Sequence, residues 1–73
     1  SFDREEQIYI AFGEHLKEVI ASVRRDKTER QLSMKEPIPE LVITCPKKFR
    51  DFYRESEKDL KACTGAERIV IRN

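Results

Sequence analysis

Seventy-three residues are enough for one small domain and no more. Hydrophobic residues make up 38% and charged residues 40%, with two Gly and three Pro, a helix-rich and very polar composition that is still too apolar in its periodic segments for disorder. The net charge of +1 speaks neither for nor against nucleic acid, and no apolar run approaches the ~20 residues of a membrane span or the pattern of a signal peptide.

The first element is set by Ile8, Phe12, Leu16, Val19, Ile20 and Val23, which step by four, four, three, one and three. This is the spacing of one helical stripe and predicts a helix from about Asp3 to Glu29, with Ser1 or Asp3 as its cap and Glu5 and Glu6 in the first turn. Such a helix is about 40 Å long, so one end should overhang a domain of this size. Tyr9, Ile10 and Ala11 add apolar surface off the stripe, as expected of an overhang that packs on a neighbouring helix of a longer protein. The absence of an initiator Met gives the same expectation of a piece cut from a longer chain.

Ser33 to Pro39 should be a loop, because two prolines two apart in "KEPIPE" forbid helix. Leu41 to Cys45 is a short β-branched run of the kind found in buried parallel strands, and Pro46 ends it while suiting the start of a helix. A second stripe at Phe49, Phe52, Tyr53, Ser56, Leu60 and Cys63 predicts a helix to about Cys63, closed by Thr64-Gly65. Ile69, Val70 and Ile71 repeat the strand signature.

The expected fold class is therefore α/β, a single small α-β-α-β domain. Its sheet has two parallel strands, because the crossover between them exceeds a dozen residues, and both helices lie on one face. Leu41, Ile43, Cys45, Ile69 and Ile71 should face the helices, with Val42, Thr44 and Val70 facing away. Both sheet edges would be open, so a second copy pairing at a strand edge is one way to cover them.

Sites for chemistry are few. Cys45 and Cys63 stand eighteen positions apart, outside any CxxC spacing, and are expected to be reduced, half-buried packing residues of a cytosolic protein. His15 is alone, at the border of the first stripe, without a nucleophile in a triad setting. Gly13 and Gly65 are too far apart for a phosphate loop, and no set of metal ligands shares a face. Phe49, Phe52 and Tyr53 fall on the buried stripe and read as core rather than as base-stacking aromatics.

The bases are distributed less blandly. Residues 1–20 hold two bases and five acids, whereas residues 21–35 hold five bases (Arg24, Arg25, Lys27, Arg30, Lys35) and two acids. Acids at a helix start and bases at its end complement the helix dipole, so part of this asymmetry is structural. A second group, Lys47, Lys48 and Arg50, opens the second helix, where cations oppose the dipole. If the two helices run antiparallel, the groups approach one face, and a phosphate backbone is the partner such a face would take. Scattered solubilising charge explains the same residues without any partner.

The order of these motifs resembles a known family. "LKEVIASVRRDKTERQLSMKEPIPELVI" followed by "FRDFYRESEKDLKACTGAERIVI" is similar to the C-terminal end of valyl-tRNA synthetases, especially the archaeal type, over residues 15 to 72. The likeness lies in the L-K-E-V-I-x-x-V-R helix, the basic exit with Lys27, the "QLSM" turn, the charged helix ending near "DLKACTG" and the closing "ERIVI". Isoleucyl-tRNA synthetases share the arrangement, and the chain departs from both at Gln31, where many relatives have Gly. The resemblance implies a parent class I ligase that joins valine to its tRNA using ATP with magnesium, in the cytoplasm. It implies that residues 1–73 form a C-terminal accessory domain with no cofactor or active site of its own. Residues 1–30 would then be a long helix continuing from an anticodon-binding bundle, and tRNA and the upstream domains would be the partners. On this reading Arg24, Arg25, Lys27, Arg30, Lys35, Lys47 and Lys48 would neutralise tRNA phosphates, and none of the matched positions is catalytic. A purely structural module, bracing the bundle or pairing with another chain without touching RNA, accounts for the same sequence.

Overall fold

The computed structural model describes residues 3–73. Its elements are α1 (Arg4–Glu29), β1 (Leu41–Thr44), a 3₁₀ turn (Lys47–Phe49), α2 (Arg50–Glu55), α3 (Glu57–Thr64) and β2 (Ile69–Arg72). β1 and β2 pair in parallel, Leu41 with Ile69 through Thr44 with Arg72, and an isolated parallel bridge joins Ile38 to Ala66. The α/β class, the parallel pair and the helices gathered on one side of it all match the sequence expectation.

α1 begins where its cap dictates. The Asp3 carboxylate accepts the Glu6 N–H at 2.8 Å, satisfying one of the donors a helix start leaves open. The alternative cap, Ser1, lies outside the described residues. At about 1.5 Å per residue its 26 residues fill nearly the whole 43 Å long axis of a molecule only 20 × 19 Å across. The end of α1 closes in a Schellman arrangement. Leu32 N–H reaches the Lys27 carbonyl at 2.8 Å, and Gln31 N–H reaches that of Thr28 at 3.0 Å. This closure needs a left-handed residue, and Gln31 supplies it at φ 60°. A side chain there costs conformational energy that glycine avoids.

Phe12, Ile43, Cys45, Phe49, Tyr53 and Leu60 form the core, with Leu16, Val19, Leu41, Ile69 and Ile71 packed against it. Phe12 is its aromatic centre, with ring centroids 4.9 Å from Tyr53, 5.2 Å from Phe52 and 6.0 Å from Phe49. Such pairs add to simple area burial. Alternation in β1 turns Ile43 and Cys45 inward and leaves Val42 and Thr44 exposed, as period two requires.

Two expectations need correction. The second helix is not continuous: a 3₁₀ turn precedes it, and it breaks at Ser56, whose backbone stands at φ −94°, ψ 6°. Beyond the break the buried positions are Leu60 and Thr64, four apart, so Cys63 is turned out to solvent rather than half-buried. Cys45 is buried, and both thiols are free. The two helical arms run parallel, so the condition under which the two cationic groups would approach one face is not met. Phe12 meets Phe49 and Tyr53 near the start of each arm, and Lys27 meets Thr64 at the end of each. The reason is topological: β1 reverses the chain after α1, and the next turn reverses it again.

Candidate nucleic-acid interface

The parallel arms separate the two cationic groups. Lys48 lies with Glu5, Ile8, Tyr9 and Asp51 beside the N-terminal turns of α1, whereas Arg24 lies with Ile20, Met34 and Cys63 near the other end. From Ile8 to Arg24 the helical rise alone is about 24 Å. Lys47 and Lys48 therefore do not share a face with Arg24, Arg25, Arg30 and Lys35. The Lys48 ammonium sits 5.3 Å from the Phe49 ring centroid, a cation–π placement, and has acidic neighbours in Glu5 and Asp51.

Lys27 leaves the surface altogether. It is 2% exposed, the one buried charged residue among those described. Its Nζ donates to the Thr64 carbonyl at 2.7 Å and to the Met34 carbonyl at 2.8 Å. Thr64 is the last residue of α3, so the ammonium caps that helix from inside the protein, where the dipole favours a cation. Gly65 makes room for it: a Cβ there would stand 3.4 Å from Lys27 Nζ and 3.1 Å from the Glu36 carbonyl, and its φ of 77° suits glycine. Lys27 thus ties the end of α1, the 31–36 turn and the end of α3 together, and is not available to a phosphate. The signal was in the sequence. Lys27 follows Val23 by four and continues the buried stripe, but its charge argues for the surface.

The remaining four bases of this end are exposed. Arg30 pairs with Asp26 at 3.3 Å, both side chains more than half exposed, a contact of i,i+4 type that contributes little. Arg24 and Arg25 make no ion pair among the described residues. Lys35 stands on the turn that Lys27 holds, its own N–H bonded to Ser33 Oγ at 3.2 Å. Arg24 borders a groove with Met34 and Cys63, whereas Arg30 borders another with Ile38 and Leu41, so the cations ring the end of α1 rather than share one side of it.

A second polar pair was not foreseen. Tyr53 is fully buried, and its hydroxyl is hydrogen-bonded to His15 Nδ1. Burial, with Cys45 nearby, pushes the Tyr53 phenol up to about 12. Burial likewise pushes the Cys45 thiol up, partly offset by Arg50. The pair satisfies a hydroxyl that would otherwise be stranded in the core, and its role is packing. No three His, Cys, Asp or Glu among the described residues are grouped so as to hold a metal ion. No described helix is long and apolar enough to cross a membrane.

Comparison with known proteins adds no identification. The chain matches no family model, and neither curated proteins nor solved structures give a significant match. Its class is what the fold defines: a small α/β domain with a cationic tip and with Tyr9 and Ile10 exposed on its long helix.

Proposed function

We propose that this chain is a tRNA-backbone-binding accessory domain of a valyl-tRNA synthetase, with Arg24, Arg25, Arg30 and Lys35 as the phosphate contacts. The observation that carries it is that the fold consumes Lys27 and leaves Arg24 and Arg25, three and two positions away, exposed and unpaired among the described residues. Two arginines without structural employment beside a turn held rigid from within suit a phosphate partner. Such contacts position RNA without reading its sequence. The likeness of residues 15 to 72 to the C-terminal end of these synthetases supplies the enzyme class. The parent would be a cytoplasmic ligase of valine and tRNA, using ATP and magnesium in a catalytic domain outside this chain. Lys47 and Lys48 belong to a separate patch and are secondary in this reading.

Titration of labelled tRNA with the chain tests it. Reversing Arg24 and Arg25 to Glu should weaken binding at least about tenfold and lower the salt slope by about two. In the parent enzyme the same change should raise KM for tRNA and spare ATP–valine exchange. Unaltered tRNA binding would overturn the reading.

A structural role is favoured by a different region. Tyr9 and Ile10 are 63% and 47% exposed on the first half of α1, and Ile8, Tyr9 and Phe52 line an open hollow of about 650 Å³. If α1 continues from an upstream helical bundle, this is the face the bundle would cover. Replacing Tyr9 and Ile10 by Ser should then destabilise the parent while leaving tRNA affinity intact, the reverse of the arginine result.

A further inference from the structure

β1 is paired along one side only. Leu41 N–H bonds to the Arg68 carbonyl at 2.8 Å and Cys45 N–H to the Arg72 carbonyl at 2.9 Å. Alternation therefore directs the N–H and C=O of Val42 and Thr44 to the free edge. An open edge of this kind is a template for another strand, and three features of β1 say which strand fits.

The first is apolar exposure: Val42, at the middle of the strand, is 45% exposed on the helix-free side. The second is charge. Glu36 and Glu40 precede the strand, and Lys47 and Lys48 follow it. An antiparallel partner of the same sequence sets acidic start against basic end, twice by symmetry. A β2 strand from another copy, added in parallel at the register seen within the chain, would set Arg68 against Glu40 at one end but leave Arg72 beside the Lys47–Lys48 end, so charge is matched at one end only. Two β2 edges gain nothing comparable, since Glu67-Arg68 is neutral overall and Arg72 is basic.

The third is register. With Val42 on the two-fold axis, Val42 meets the partner's Val42, and Thr44 meets the partner's Glu40. Centring on Ile43 would make it a non-hydrogen-bonded pair and set Val42 against the partner's Thr44, which gives up the contact between the two exposed valines and places Glu40 opposite the partner's Pro46, where one rung is lost for want of an N–H. Centring on Glu40 would oppose Val42 to the partner's Ile38, whose N–H and C=O are already bonded to Gly65 and Glu67 at 2.9 and 2.8 Å. Centring on Thr44 would oppose Val42 to the partner's Pro46, which has no N–H.

We propose that the chain self-associates through β1, forming a two-fold dimer with an antiparallel β1–β1 seam centred on Val42 and a four-stranded sheet ordered β2-β1-β1-β2. The axis is normal to the sheet, so both α1 helices lie on the same face. Val42 and Thr44 of the free edge line, with Val19 and Ser22 of α1, an open groove of about 220 Å³. Two strands alone make a marginal sheet, and four make a sound one. The interface is small, so association is weak and concentration-dependent, with Kd on the order of 0.1 mM.

Sedimentation equilibrium of the chain from about 0.01 to 1 mM should show mass rising from monomer towards dimer and stopping there. Val42→Lys, at a position exposed in the monomer, should keep the far-UV circular dichroism and weaken association at least tenfold. Glu40→Lys should also weaken it, and Lys47→Glu with Lys48→Glu in the same chain should restore it. A wild-type chain that stays monomeric at 1 mM, a dimer indifferent to Val42→Lys, or growth beyond dimer through head-to-tail β1–β2 contacts would each overturn the proposal. Arg24→Glu with Arg25→Glu should dimerise as wild type, so this result and the RNA result fail independently.

Discussion

The two ends of α1 are held by different physics. Near the start, Phe12 packs among Phe49, Phe52 and Tyr53, and the stabilisation is apolar area with few directional demands. Near the end, one ammonium reaches two carbonyls inside a glycine-lined niche, and little area is involved. An aromatic cluster accepts many arrangements of similar energy, whereas Lys27 accepts one. The first end holds the domain together, and the second fixes where its tip points. It is at the second end that Arg24, Arg25 and Lys35 are displayed.

That contrast can be broken at either end. Phe12→Ala should be the most damaging, costing about 3–5 kcal/mol through lost burial and the cavity left behind. In a chain this small such a loss is most of the total stability. Urea denaturation would show the folded baseline largely gone. Lys27→Met should cost about 2–3 kcal/mol, because it keeps the stem and strands the Met34 and Thr64 carbonyls. Its signature is local: amide exchange should accelerate most over residues 31–36 and 61–66, while the aromatic cluster keeps its protection. Equal acceleration throughout would show that the two ends are not distinct. Gln31→Gly sharpens the comparison in the opposite direction. It relieves a left-handed side chain at φ 60° and should raise stability by about 0.5–1 kcal/mol, seen as a higher thermal midpoint.

Much of this was written in the local pattern. The stripe from Ile8 to Val23 gave α1, the β-branched runs gave both strands, and Gly65 gave the close of α3. Crossover length gave the parallel pairing. Lys27 was misread because composition treats a lysine as solvated, although its position, four beyond Val23, marked it as internal. The break at Ser56 has no composition signal: its N–H still reaches the Phe52 carbonyl at 3.1 Å, and only its φ of −94° and ψ of 6° depart from helix. The distance between the two cationic groups was readable in principle. Two chain reversals restore a direction, so consecutive arms around β1 had to be parallel. The His15–Tyr53 bond joins residues 38 apart, and no local rule pairs them.

The strand pairing runs at a constant offset of 28 residues, from Leu41 with Ile69 to Thr44 with Arg72. No partial sheet can therefore assemble while β2 is missing, because every rung waits for the same late segment. On a ribosome α1 would leave the exit tunnel with an apolar stripe whose partners Ile43, Phe49, Tyr53 and Leu60 follow only later. Once those partners had emerged the helices could close on one another, and β1 alone would still wait for Ile69 to Arg72.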